Sequence, residues 1–75
     1  MKIAIAGAAG RMGQMLIRQI AGTPGCSLAG ALEGAASNAL GRDAGEVAGV
    51  GPKGVMIVSD GAAAIGAAQV VIDFT

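Results

Sequence analysis

The sequence has no histidine, tryptophan or tyrosine, and it has only one cysteine and one phenylalanine. Histidine is the side chain that most often serves as a general acid or base near neutral pH, so we assign no catalytic residue. A single cysteine cannot form an internal disulfide, and no cysteine or histidine cluster offers a zinc site. The single cysteine therefore favours a reducing compartment, and we assign no metal-ligating residue.

The chain also lacks an excess of charge and a long apolar run. Five basic residues balance five acidic ones, which provides no patch for nucleic acid or for a membrane surface. The apolar start of the chain is too short for a signal peptide or a membrane span. We therefore expect a cytoplasmic protein. Its 75 residues lie near the lower limit for an independent domain.

What the sequence does contain is an alternation of apolar segments and helical patterns. It predicts four strands, at Lys2–Ala6, Cys26–Leu32, Val55–Val58 and Val70–Asp73. It predicts helices at Arg11–Ala21 and Gly61–Ala68, the second capped by Asp60, and a short helical turn around Asp43–Val47 within a glycine-rich loop. This alternation indicates an α/β fold: a partial Rossmann-type, doubly wound parallel sheet in the strand order 3-2-1-4.

Two local predictions concern the ends and faces of these elements. Helical spacing places Met12 and Met15 on the apolar face of the first helix, where we interpret them as core filler. Gly22 is predicted to end that helix in the left-handed conformation. Cys26 is interpreted as a small buried strand residue rather than a reactive thiol.

The last strand suggests that more chain follows. Val70, Val71 and Ile72 are consecutive and apolar, a pattern typical of a parallel strand covered on both faces. A fourth strand at the margin of the sheet would expose them unless a fifth strand followed. We therefore expect residues 1–75 to be the N-terminal portion of a longer dinucleotide-binding domain.

The stretch "IAIAGAAGRMG", residues 3–13, predicts a nucleotide-binding turn between the first strand and the first helix. Gly7 permits the tight turn, Ala9 or Gly10 allows the backbone to approach a pyrophosphate, and Gly13 allows the helix to pack on the strand. The amides at the start of the helix would hold the phosphates. The spacing G-x-x-G-x-x-G departs from the usual G-x-G-x-x-G, and a purely structural turn is the alternative.

Two charged residues strengthen the nucleotide interpretation. Glu33 follows Gly13 at the distance where an acidic residue binds the hydroxyls of the adenine ribose, although a solvated carboxylate is the alternative. Arg11 lies in the first helical turn, where a cation is electrostatically unfavourable unless an anion binds there. We therefore favour a phosphate contact for Arg11 over a surface role.

Taken together, four features resemble the N-terminal part of the dihydrodipicolinate reductase family. They are the glycine turn, the acid after the second strand, the loop "LGRDAGEVAGVG" and the fourth strand "VVIDFT", and the resemblance covers essentially all 75 residues. It implies an NAD(P)H-dependent oxidoreductase of lysine and diaminopimelate biosynthesis, in which hydride passes from the nicotinamide to a dehydrated hydroxy-tetrahydrodipicolinate. The resemblance assigns cofactor binding to Gly7, Ala8, Ala9, Gly10, Arg11, Met12, Glu33 and Thr75.

One position departs from the family pattern and affects the choice of cofactor. Many members have an arginine after the ribose-binding acid, where it holds the 2′-phosphate of NADP with the arginine of the turn; here the residue is Gly34. A carboxylate and a phosphate about 4 Å apart repel by roughly 4 kcal/mol at an effective dielectric near 20. Arg11 offsets only part of this, so we expect NADH to be favoured over NADPH.

The resemblance also implies what these residues lack. In the family, the protonating histidine, the dicarboxylate-binding pocket and the contacts of a homotetramer lie in a second domain, so residues 1–75 alone should not turn over substrate. Two alternatives remain open from the residues themselves: a nucleotide-sensing regulatory module that binds NAD, and another nicotinamide-dependent oxidoreductase with the same turn.

Overall fold

The computed structural model describes residues 1 to 75. Four strands form a single sheet, in which all pairings are parallel and the order is 3-2-1-4. The strands are β1 (Lys2–Ala6), β2 (Ser27–Leu32), β3 (Ile57–Val58) and β4 (Val70–Asp73). The helices are α1 (Arg11–Ala21), α2 (Ala44–Val47) and α3 (Gly61–Ile65). The predicted fold class and strand order are confirmed, as are the bounds of β1, α1 and β4.

The two faces of the sheet are built from side chains of different size. Large residues such as Ile3 and Ile5 belong to one core cluster with Ile17 and Ile20 of α1. Gly30 lies on the other face, where a Cβ atom would overlap the backbone of Ala64 in α3. Because a parallel sheet needs cover on both faces, the small residues allow even the short α3 to shield its side closely.

Three predicted elements are shorter in the structure. The third strand loses Val55 and Met56 because this segment pairs with the preceding loop: Ala44 N–H donates to the Val55 carbonyl at 2.8 Å, and Met56 forms an antiparallel bridge with Asp43. The helix α3 stops before Gly66 instead of reaching Ala68. The strand β2 begins at Ser27, so the half-buried Cys26 lies just before it.

The predicted face of α1 is wrong in part. Met12 and Met15 are 49% and 44% exposed and do not fill the core. The residues of α1 that are buried are Gly13, Ile17 and Ile20. The prediction was wrong because it followed the hydrophobicity of the methionines. A glycine has no side chain, and it marks the position where the helix approaches the sheet most closely.

One further prediction is corrected. Gly22 has φ −96° rather than the left-handed conformation, and the positive φ of the α1–β2 connection falls on Gly25, at +84°. In β4, Val70 and Val71 are 37% and 42% exposed, which is the exposure expected of a fourth strand that pairs only with β1. Separately, none of the helices combines the length and the apolar character that crossing a bilayer requires.

Candidate functional site: the glycine turn at the carboxyl ends of the strands

The turn between β1 and α1 lies where the carboxyl ends of three strands meet. The amides of Gly7 and Ala8 both donate to the carbonyl of Leu32 at the end of β2, at 2.9 and 3.2 Å. The amide of Phe74, just after β4, donates to the carbonyl of Ala6 at 2.9 Å. The chain order of the strands reverses between β1 and β4, and open α/β sheets bind ligands at this point.

Two glycines make the turn compact. Gly7 has φ +80°, and a Cβ atom there would lie 3.3 Å from the carbonyl carbon of Phe74. A Cβ atom on Gly13 would overlap the carbonyl oxygen of Gly7 and lie 2.9 Å from the Cα atom of Ala8. The first glycine is therefore required for conformation and the second for the close contact between α1 and the turn.

The start of α1 has amides without partners. Gly10 is the N-cap residue and provides no side-chain acceptor, and the first turn contains no acidic residue. The amide of Gln14 is the first to join the helical pattern, donating to the Gly10 carbonyl at 2.9 Å. The amides of Arg11, Met12 and Gly13 therefore donate to no protein acceptor. Together with the helix dipole, such amides form a site for an anion.

Arg11 is exposed beside these amides. Its backbone lies at the first position of α1, and its guanidinium takes part in no hydrogen bond within the chain. Because no internal partner holds this cation, it is available to a ligand that binds at the turn.

Glu33 lies directly after β2 and contacts the turn. Its Oε2 atom accepts a hydrogen bond from the amide of Ala9 at 2.7 Å, and both residues are half-buried. Its other carboxylate oxygen has no partner within the chain. Glu33, which its spacing from Gly13 assigned to the adenine ribose, therefore contacts the turn itself.

Thr75 lies one residue beyond Phe74, whose backbone contacts Gly7. The amide and the hydroxyl of Thr75 donate to Oδ1 of Asp73 at 2.8 and 2.5 Å. The hydroxyl contact, and then the amide contact, hold the pKa of Asp73 below its usual value. The hydroxyl oxygen of Thr75 still has acceptor capacity toward a ligand.

Gln14 belongs to the site although the sequence patterns did not single it out. Its side-chain Nε2 donates to the carbonyl of Ala9 at 2.7 Å. The sequence signal that was available is its position, one helical turn after a helix start at a glycine. From this position a long amide side chain can reach back to the loop before the helix.

The loop between β2 and β3 is organised by a different carboxylate. Asp43 Oδ1 accepts from the amides of Gly45, Glu46 and Lys53 at 2.8, 3.2 and 3.0 Å, and Oδ2 accepts from Gly54 at 2.8 Å. The bond from Lys53 is the main cause of a lowered pKa at Asp43, and the other amides add to it against desolvation. This carboxylate closes the loop and caps α2.

The strand order and the glycine turn at the carboxyl edge define a Rossmann-like α/β unit. Comparison with known proteins then identifies its family. The family model described as "Dihydrodipicolinate reductase, N-terminus" matches residues 1–75. The chain belongs to this family.

Similar proteins come from several bacteria. The chain is 53% identical over 74 residues to the 4-hydroxy-tetrahydrodipicolinate reductase of Anaeromyxobacter dehalogenans (strain 2CP-C), covering 99% of the chain and 27% of that protein. Identity is 55% to the protein of the same name from Agrobacterium fabrum and 56% to that from Cupriavidus necator, each over 75 residues and 100% of the chain. The chain spans 27% and 28% of the lengths of these two relatives.

Proposed function

We propose that these residues form the dinucleotide-binding part of an NAD(P)H-dependent 4-hydroxy-tetrahydrodipicolinate reductase. The observation that carries this proposal is the open start of α1: three consecutive amides, of Arg11, Met12 and Gly13, lack acceptors beside the acidic residue Glu33. A pyrophosphate provides acceptors for such amides, and a ribose provides hydroxyls for the carboxylate. Family membership and the names of the relatives support the same activity.

The site fits the parts of a dinucleotide in order. The pyrophosphate would lie on the backbone of Gly7, Ala8, Ala9, Gly10 and Met12, with the guanidinium of Arg11 against its charge. The adenine ribose would bind Glu33 through the free carboxylate oxygen. Thr75 would border the cofactor at the end of β4, on the side of the turn where Phe74 contacts Gly7.

Bound NAD(P)H would supply the hydride that reduces the substrate. The residues of this chain would bind and orient that cofactor, and we assign to none of them the protonation of the product. We assign dicarboxylate binding, protonation and the homotetramer contacts to parts of the protein outside residues 1–75, consistent with relatives more than three times as long. Residues 1–75 alone are expected to be inactive.

We further propose that NADH is preferred over NADPH. Gly34 follows the ribose-binding acid and brings no positive charge, which leaves Arg11 as the single cation of the site. No atom lies within 4 Å of a Cβ atom placed on Gly34, so a side chain introduced at this position would have open space. Glu33 would repel a 2′-phosphate, whereas it can accept hydrogen bonds from the free 2′- and 3′-hydroxyls of NADH.

The test of binding is a titration of the intact protein with NADH and with NADPH, measured by nucleotide fluorescence. We expect both to bind and NADH to bind more tightly; clearly tighter NADPH binding would refute the preference, and binding of neither would refute the site. Steady-state reduction of the substrate with each nucleotide then tests the activity.

Gly34→Arg tests the origin of the preference. Since the added arginine has room, NADPH affinity should rise about 10- to 100-fold, as expected for one charge-assisted hydrogen bond to phosphate, with little change for NADH. Gly34→Ala is the matched control, because it adds a Cβ without a charge. Equal effects of the two substitutions would contradict the proposed role of position 34.

A further inference from the structure

The peptide groups of Ala9 are held from two sides by side chains. The amide of Ala9 donates to Glu33 Oε2 at 2.7 Å, and its carbonyl accepts from Gln14 Nε2 at 2.7 Å. Both contacts are partly buried and link residues that are 24 and 5 positions from Ala9. No other residue of the turn has both of its backbone polar groups bonded to side chains.

These contacts tie the middle of the turn to two different elements. Glu33 follows β2, and Gln14 belongs to α1, whose first three amides form the proposed phosphate site. Ala9 lies immediately before the N-cap residue, Gly10. A displacement of Ala9 would therefore shift the start of α1, and small misplacements of binding groups weaken ligand contacts strongly.

Resting on the function proposed above, we infer that Gln14 and Glu33 are positioning residues that set the phosphate-binding turn through Ala9. Glu33 also couples two subsites, since one carboxylate oxygen holds the turn while the other remains for the ribose. Gln14 acts without charge and touches the carbonyl of Ala9, so its contribution to binding is purely positional. The turn is thus preorganised before the dinucleotide arrives.

Gln14→Met isolates the positional effect because it keeps the length of the side chain and changes no charge. The Kd values of the intact protein for NADH and for inorganic pyrophosphate should both rise about 3- to 10-fold, the worth of one neutral hydrogen bond. In catalysis, the KM for the nucleotide should rise while kcat is retained, as expected when uniform binding is lost. Gln19→Met, the same change at an exposed position of α1, should alter none of these values.

A second variant separates positioning from ribose binding. Glu33→Gln retains an acceptor for the Ala9 amide, so pyrophosphate affinity should not fall, whereas Glu33→Ala removes the acceptor. Glu33→Ala also removes a negative charge, which by itself would strengthen pyrophosphate binding, so weaker binding in this variant would identify positioning.

The outcomes distinguish this inference from the proposed function. If the unsubstituted protein binds NADH but Gln14→Met leaves both Kd values unchanged, the positioning role is overturned alone. A lowered Tm in Gln14→Met with unchanged Kd values would likewise reduce Gln14 to a structural role. If the unsubstituted protein binds neither nucleotide, the proposed function fails and the inference fails with it.

Discussion

The three helices of this chain begin in two different ways. At α2 and α3 an aspartate is the N-cap residue: Asp43 accepts from Gly45 and Glu46, and Asp60 accepts from Ala62 and Ala63. At α1 the N-cap residue is Gly10, which has no side-chain acceptor. The backbone at all three caps is extended. The difference therefore comes from the side chain and not from the local conformation.

The comparison shows which helix start is left open for a ligand. An aspartate cap accepts hydrogen bonds from first-turn amides, and its negative charge interacts favourably with the helix dipole. The longest helix, α1 with 11 residues, lacks such a cap and any acidic residue in its first turn, and it begins with a cation, Arg11. By helix electrostatics alone, the start of α1 is the least favourable of the three. A bound anion would offset the unfavourable interaction between Arg11 and the helix dipole.

Converting the open start into a capped one should have the largest effect on binding. In Gly10→Asp the new carboxylate would occupy the free amides and repel a pyrophosphate, at about 4 kcal/mol for charges about 4 Å apart. We expect the Kd for NADH to rise at least about 100-fold, while the Tm is kept or raised. Isothermal titration and calorimetry measure the two quantities.

Gly10→Ala is the control for this substitution. It introduces the same Cβ, which would lie 3.3 Å from the carbonyl oxygen of Gly7 and require a small adjustment, but it brings no carboxylate. If Gly10→Ala weakens NADH binding as much as Gly10→Asp, then crowding and not capping explains the loss.

The glycines in the first turns of α1 and α3 should respond in opposite directions to alanine. Gly13→Ala places a Cβ against the carbonyl of Gly7, so we expect destabilisation of about 1–3 kcal/mol together with weaker NADH binding. Gly61→Ala has open space and should be neutral or stabilising by up to about 1 kcal/mol. Urea denaturation monitored by circular dichroism provides the comparison, and a stabilised Gly13→Ala variant would refute the close contact.

Acid should weaken the loop that Asp43 organises. Because the folded-state pKa of Asp43 is lowered, its contribution is fully present above the ordinary pKa of about 3.9 and is lost as the pH falls through the folded pKa. The difference in Tm between the unsubstituted protein and Asp43→Asn should be constant from about pH 5 to 7 and shrink below about pH 4. A difference that is independent of pH would show that the charge of Asp43 contributes nothing. Glu46→Gln removes a first-turn carboxylate that accepts no hydrogen bond, so it should change the profile less than Asp43→Asn does.

Local signals predicted the fold well because they act at short range. The apolar run of Lys2–Ala6, the helical pattern of Arg11–Ala21 and the cap at Asp60 were all identified correctly, since each depends on neighbours along the chain. The order of the strands followed from the rules for parallel connections. The local signals carry no information about which distant segment of the chain a given segment pairs with.

The errors lie where tertiary contacts decide the outcome. Val55 and Met56 have strand-forming character, but their segment pairs with the loop at Ala44 and Asp43. Met12 and Met15 are apolar but face outward because Gly13 brings the opposite side of α1 onto the turn. The bond between Gln14 and Ala9 could not be read from periodicity, because it depends on the shape of a turn that only the folded chain defines.

Removing the cap of α3 should have the smallest effect and completes the comparison of helix starts. Asp60→Ala removes acceptors from the amides of Ala62 and Ala63, at 3.0 and 3.4 Å, and should cost about 1 kcal/mol. Since the hydrogen bonds of Asp60 reach only the first turn of α3 and no residue of the glycine turn, NADH affinity should not change. Asp60→Asn retains an acceptor and should restore most of the stability, as measured by urea denaturation. If Asp60→Ala weakened NADH binding, the start of α3 would have to contribute to the site. The distinction between α2 and α3, which are capped by aspartates, and α1, whose first amides are free for a ligand, would then not hold.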